Sequence, residues 1–421
     1  MGGVVHVVGA GVAGLSAAVR LKAAAAEVVL HEATGQAGGR CRSYYDPTID
    51  ATIDNGNHVV LSGNRATLAY LRVIAAQDRL AGPREPAFPF VDLASQERWC
   101  VRPNAGRLPW WIFAAERRVP GSHALDYLGI ARLAWAPPDR LLRDAMACHG
   151  LVYDRLWRPL LLAALNTDPT EASAGLAGAV VRETLAAGGD ACRPLIAPQG
   201  LSCAFVDPAV SWLQAKGAAL HFGHRLRAMT FNGEKVEALD FGDSLVRLRP
   251  GDGVILAVPP WVAQALVPGL RTPSAFRAIV NGHFRVTPPA GIATMTGVVN
   301  ATVEWIFCFH DRISVTVSAA DRLIDIPRET LARDLWREVV ALTGVAAVLP
   351  PWQIIKERRA TFAATPTEEM KRPAAHTAWN NLVLAGDFTA TGLPATIEGA
   401  IRSGNRAAEL MTCNRRKPPA A

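Results

Sequence analysis

No Cys-x-x-Cys pair occurs in the 421 residues, no charge-free apolar run reaches the length of a bilayer span, and only six of the 44 basic residues are lysine. Seven cysteines at irregular spacing argue against a disulfide framework and against the zinc and redox motifs built on Cys-x-x-Cys. Reduced, mostly buried thiols in a cytoplasmic protein fit them better, and no metal site is expected. The missing apolar run excludes a membrane-spanning helix. The apolar start, Val4 to Val8, is too short for a signal peptide and leads straight into a glycine turn. The net charge of +7 is spread along the chain without a long basic block or an aromatic–basic repeat, so no nucleic-acid partner is expected. That charge suits an anionic membrane face and equally suits ordinary solubility.

What is present is a globular chain of two- or three-domain length. Val4-Val5-His6-Val7-Val8 reads as a buried strand, Leu15 to Ala25 as a helix, and Val28 to His31 as a second strand. Helical text lies at Ala124 to Trp135, Leu151 to Leu165 and Leu331 to Leu342. Two short strands flank Asn232-Gly233, a hairpin signal. Val254 to Val258 is a buried strand stopped by Pro259-Pro260, and Val298 to Val317 alternates like sheet. Leu382 to Ala385 is a last strand and Ile397 to Thr412 a last helix. The basic tail 414–421 is expected to be disordered.

The opening strand runs into Gly9-Ala10-Gly11-Val12-Ala13-Gly14. Glycines at this spacing allow a tight turn, close approach of backbone to a pyrophosphate, and close helix–strand packing. The helix then presents free N–H groups to the phosphates. Glu32 ends the second strand, where a carboxylate can hold ribose hydroxyls. Gly9, Gly11, Ala13, Gly14 and Glu32 are therefore candidate dinucleotide contacts.

The next residues, Gly38-Gly39-Arg40-Cys41-Arg42-Ser43, resemble a segment of the amine oxidase and phytoene desaturase superfamily of flavoproteins. In that superfamily a GGR-x-x-[ST] segment touches the FAD pyrophosphate. The resemblance implies FAD as cofactor, with Gly38, Gly39 and Arg40 at the phosphates; the planar donor fork of arginine suits that task. Gly386-Asp387 and Gly392 to Gly404 resemble the closing FAD motif. There Asp387 would meet the ribityl chain, and Thr396 and Ile397 would open a helix aimed at the flavin ring. Gly253 to Pro259 resembles an internal strand of the same domain, and Leu226, read in the strand before the hairpin, falls where the family's adenine-contacting backbone lies. The implied fold is α/β. A discontinuous Rossmann-like FAD domain (1–85, 196–270, 375–413) would be joined to a mixed α/β substrate domain (86–195, 271–374), as in amine oxidases and desaturases.

Three further segments select a branch: Asp54-Asn55-Gly56-Asn57-His58, LLAALNTDPTEAS from Leu161 to Ser173, and Pro198 to Pro208 with Gly200-Leu201-Ser202. All three resemble the squalene-associated FAD-dependent desaturases, now called hydroxysqualene dehydroxylases, of bacterial squalene and hopanoid biosynthesis. The amine oxidase branch fits less well, because Ala395-Thr396-Ile397 lacks the aromatic cage residue before Glu398-Gly399-Ala400. The resemblance implies an enzyme that reduces a C30 isoprenoid alcohol, hydroxysqualene, to squalene with loss of water. Reduced FAD supplies hydride, and a reductant that the motifs leave unidentified regenerates it. Asn57 and His58 would lie beside the flavin, with His58, and after it Asp54, as candidate proton donors to the departing oxygen. Glu398 recurs in enzymes with no hydroxyl to expel, which argues for a structural or flavin role. Two alternatives stay open: a carotenoid-type FAD-dependent desaturase, and a non-catalytic FAD-binding subunit of an isoprenoid complex. Trp110-Trp111-Ile112-Phe113 beside Arg117-Arg118 reads either as a membrane-dipping edge or as buried core. The location expected is the cytoplasm, with peripheral contact on the inner face of the cell membrane.

Overall fold

The computed structural model describes residues 3–416, with side chains through Cys413. A parallel sheet is the foundation. Its spatial order is Leu382–Leu384, Gly253–Leu256, Val4–Val8, Glu27–His31 and Ala219–His221, all five strands parallel. Val5, Val7, Val254, Ile255 and Leu384 are fully buried, as expected for strands covered on both faces. The helix Val12–Ala23 and the closing helix Ile397–Arg416 lie against the sheet and against each other. Their contact is close because Gly404 has no side chain: a Cβ there would lie 2.1 Å from the Ala13 carbonyl oxygen.

The second layer system is a seven-stranded sheet in the order Trp352–Phe362, Phe276–Phe284, Ile313–Val317, Trp305–Cys308, Met295–Val299, Phe88–Asp92, Arg98–Val101. It is antiparallel except where Met295–Val299 runs parallel to Phe88–Asp92. Side chains alternate between its faces. Val280, Phe284, Ile313, Val315, Val317 and Ile306 cluster with the helix Arg328–Thr343, which offers Leu331, Leu335, Trp336, Val339 and Leu342 as one apolar stripe. Cross-strand pairing puts Asn281, His283, Ser314, Thr316, Trp305 and Phe307 on the opposite face. There the apolar members join the helices of residues 142–183 in a separate core.

Several elements differ from the sequence reading for identifiable reasons. Residues 124–135 wind as a 3-10 helix rather than an α-helix, burying Tyr127, Ile130 and Leu133 at a spacing of three. The helix at 151–165 contains a π-turn, Tyr153–Trp157, just before Pro159; proline has no N–H to donate, and the wider turn absorbs the gap. Leu226 lies in an extended link before the strand Ala228–Asn232 rather than within a strand. The closing helix continues to Arg416, so 414–416 are helical where an unstructured tail is expected; 417–421 lie outside the described residues. Of Trp110 to Phe113, Trp111 and Ile112 are buried while Trp110 and Phe113 are exposed, so the segment is only in part buried core.

Candidate functional site

The glycine turn closes at the end of the opening strand. Gly9 adopts φ +103° and its N–H donates to the His31 carbonyl at 2.7 Å. A Cβ at Gly9 would lie 2.3 Å from the Ala257 carbonyl oxygen, and one at Gly14 would lie 1.9 Å from that of Gly9. The chain itself therefore requires both glycines. Gly11 is different. Its φ of −67° is open to any residue, and a Cβ there would meet nothing within 4 Å. A glycine at that position leaves room for a group the chain does not supply. Gly38 and Gly39 (φ +109° and +56°) fold over the same spot: Gly38 N–H donates to the Ala10 carbonyl at 2.8 Å, and Gly39 approaches the Gly11 Cα. Ala13 is buried in the helix behind the turn.

Glu32 points back to this turn. Its Oε2 accepts from Ala10 N–H at 2.7 Å, and its Oε1 from the N–H and hydroxyl of Thr34 at 2.9 Å. Leu226 packs its side chain with Val8, Val254 and Leu256. Arg40 donates to Asp387 Oδ1 and to the Ala360 carbonyl, both at 2.6 Å, and its side chain is 44% exposed. Asp387 follows Gly386, whose N–H donates to Ser403 Oγ on the closing helix at 2.9 Å. Thr396 caps that helix by accepting from Gly399 N–H at 3.0 Å, so that Ile397 begins its first turn. The carboxylate of Glu398 is fully used: it accepts from Ala66 N–H, Thr67 N–H, Thr67 Oγ1 and Arg402 Nε at 2.6–3.1 Å. It holds the start of the helix Arg65–Val73.

The three branch-specific segments prove to be brackets. Asp54 Oδ1 accepts from Ser43 Oγ at 2.6 Å and from Leu201 N–H at 2.8 Å. Ser43 and Ser202 exchange two more hydrogen bonds, at 2.7 and 2.9 Å. Gly200 (φ +97°) fits only without a side chain, since a Cβ would lie 2.7 Å from Ser43 Oγ. Asn166 (φ +47°) ties Ala319 N–H and Thr361 Oγ1 at 2.7 and 3.0 Å; Thr167 Oγ1 accepts from Ala364 N–H at 2.9 Å. Asp54, expected as a second proton donor, thus has one carboxyl oxygen committed to the bracket, and burial raises its pKa above the usual carboxylate value.

Asn57 and His58 reach the polar strip of the large sheet. Asn57 Nδ2 donates to Thr316 Oγ1 at 3.0 Å, and Thr316 Oγ1 donates to Asn281 Oδ1 at 2.8 Å. The Asn57 Oδ1 atom is buried without a partner. Burial, and after it the neighbouring Arg40, pulls the pKa of His58 down to about 4. At neutral pH it is an uncharged imidazole, not the imidazolium a strong proton donor would be. Asp54, Asn57, His58, Ile196, Ala197, Leu201, Phe307 and Phe309 enclose one small cavity where the parallel-sheet half meets the large sheet. Phe307, Phe309, Asn281 and Thr316 were not singled out from sequence. The alternation in 298–317 announced a sheet but not which face would meet residues 54–58. Among the described residues no cluster of His, Cys, Asp or Glu is arranged to hold a metal ion, and no helix is long and apolar enough to cross a membrane.

The family model of flavin-containing amine oxidoreductases matches residues 12–412. A hydroxysqualene dehydroxylase of Rhodopseudomonas palustris is 56% identical over 408 residues, covering 97% of this chain and 98% of that protein. One from Zymomonas mobilis is 45% identical over 407 residues, again covering 97% and 98%. Among solved structures, a wild-type putrescine oxidase bound to putrescine superposes with a TM-score of 0.70 at 18% identity, covering 98% of this chain and 99% of the other. At that identity the likeness concerns the fold alone.

Proposed function

The chain belongs to the hydroxysqualene dehydroxylase family, within the flavin-containing amine oxidoreductases, and from that premise we propose that it is an FAD-dependent oxidoreductase converting hydroxysqualene to squalene and water. The balance is R–OH + FADH2 → R–H + H2O + FAD. The observation that supports the reading on the structural side is the cavity of about 10 Å³ at Asn57 and His58, with apolar and aromatic walls from Ile196, Leu201, Phe307 and Phe309 and a polar edge. Its size is that of a hydroxyl or one water, so it suits the oxygen-bearing carbon of the substrate and not the hydrocarbon chain.

FAD supplies the hydride when bound and reduced. Gly9, Gly11, Ala13, Gly14, Gly38, Gly39 and Arg40 would hold its pyrophosphate, Glu32 its ribose, and the backbone of Leu226 its adenine. Gly386, Asp387, Thr396 and Ile397 would hold the ribityl and flavin end. The open space before Gly11 fits such a group. The chain's own share of the chemistry is to exclude water from an ionising allylic C–O bond and to face the developing positive charge with aromatic rings. His58, uncharged, offers a hydrogen bond at the polar edge rather than a full proton.

A C30 product partitions into bilayers, and the segments 108–113 and 124–135 suit contact with an anionic membrane. Leu108, Trp110, Phe113, Leu125, Leu128 and Trp135 are exposed in them, with Trp135 at 84% and Phe113 at 75%. Trp111 packs edge-on against Tyr127 at 5.1 Å, joining the two helical turns, and Arg117 lies 4.9 Å over Trp110. Trp rings and arginines together favour the headgroup region.

Anaerobically reduced holoprotein mixed with hydroxysqualene tests the reaction. Flavin absorbance should return as squalene forms. Dehydrogenation of a polyene precursor by oxidised protein, without squalene formation, would favour a desaturase instead, and inertness to both substrates would favour a binding subunit.

A further inference from the structure

We propose that Asn57 Oδ1 is the receptor for the oxygen of the substrate's hydroxyl, and that Phe307 is the ring facing the allylic carbon beside it. The inference rests on the dehydroxylase reading and deepens it. The orientation of the Asn57 amide is set by its neighbours. Nδ2 faces Thr316 Oγ1 at 3.0 Å and the Val315 carbonyl at 3.5 Å, and a carbonyl can only accept, so the NH2 group belongs on that side. The oxygen is thereby on the other side of the amide, and it is buried without a donor. An unpaired buried acceptor is unfavourable, and the residue it belongs to lines the cavity. A hydroxyl, or the water it becomes, supplies the missing donor. The hydrogen bond strengthens when the hydroxyl gains its second proton, the one that accompanies the hydride in the overall balance: the protonated oxygen is a far more acidic donor to Asn57, and the C–O bond then breaks with its electron pair on oxygen, which leaves as water. Hydride then forms the new C–H bond.

Two rings line the same cavity, and they are not equivalent. Arg312, itself buried, sits with its guanidinium 4.1 Å from the centre of the Phe309 ring. The π density of Phe309 is already drawn towards that cation. Among the described residues no cation lies over Phe307, which leaves its face available to a cationic carbon.

Oxidised holoprotein carries no hydride to transfer, so hydroxysqualene and squalene can each be titrated without turnover, following the flavin spectrum. Wild type should prefer hydroxysqualene by roughly 2- to 12-fold, the worth of one neutral hydrogen bond. Asn57→Leu should erase the preference while keeping its affinity for squalene; retention of the wild-type preference would overturn the assignment. Should Asn57→Leu fail to load FAD, Phe307→Leu carries the test. It should keep the binding preference yet slow single-turnover squalene formation by roughly 2- to 30-fold, the range of a cation–π contact, and an unchanged rate would overturn the role of Phe307. If reduced wild type forms no squalene, the functional reading itself fails. If wild type forms squalene and the variants behave like it, only this inference fails.

Discussion

Replacing Gly11 by alanine separates what the fold needs from what the cofactor needs. The backbone at Gly11 is at φ −67°, and the added methyl would meet no protein atom within 4 Å. The apoprotein should therefore fold with little change in thermal midpoint. The methyl nevertheless occupies the approach to the N-terminus of the helix Val12–Ala23, where the pyrophosphate is proposed to accept backbone hydrogen bonds. Losing one charge-assisted hydrogen bond costs about 1.5–3 kcal/mol, which raises the Kd for FAD by about 10- to 150-fold. Gly14→Ala is the contrast: its methyl would fall 1.9 Å from the Gly9 carbonyl oxygen, so it should fail to fold before FAD is considered. The assay is reconstitution of apoprotein with FAD, read by flavin fluorescence, beside thermal melting of the apo forms. Wild-type FAD affinity in Gly11→Ala, or a well-folded Gly14→Ala, would refute the reasoning.

Three other outcomes are expected. Asp54→Asn keeps an oxygen able to accept from both Ser43 Oγ and Leu201 N–H, which share Oδ1 in the native bracket, so squalene formation should stay near wild type; a fall of about 10²–10⁴-fold would instead make Asp54 the proton donor. Burial holds His58 at about 4 and His31 and His283 at about 3, whereas histidines of the unfolded chain titrate near 6.5. Below that pH the unfolded chain takes up protons that the folded one refuses, so stability is complete above about 6.5 and is lost as pH falls towards about 3; a thermal midpoint constant from pH 7.5 to 5 would contradict this. Phe113→Ser combined with Trp135→Ser should reduce co-sedimentation with anionic vesicles at low salt, and wild-type protein that stays in the supernatant under those conditions would sink the membrane proposal.

Much of the parallel-sheet half was legible in the chain because its signals are local. A glycine turn, a buried valine strand and a carboxylate at the next strand's end are each dictated by backbone geometry over a few residues, and the strand Val4–Val8 and hairpin turn at Gly233 appear where the text puts them. What the tertiary structure decided is how distant segments meet. Asp54 takes its hydrogen bond from Leu201, 147 residues away, and Glu398 holds the helix start at Thr67 across 331. Neither pairing leaves a mark in local periodicity. Asn57 lies 259 residues from Thr316, and only the folding of the large sheet against residues 54–58 brings Asn57 and Phe307 to one cavity. The uncharged state of His58 is likewise a product of burial rather than of its motif. A sequence states which groups are available; desolvation and long-range pairing, which exist only once the halves pack, set the charge each group carries and the atom it faces.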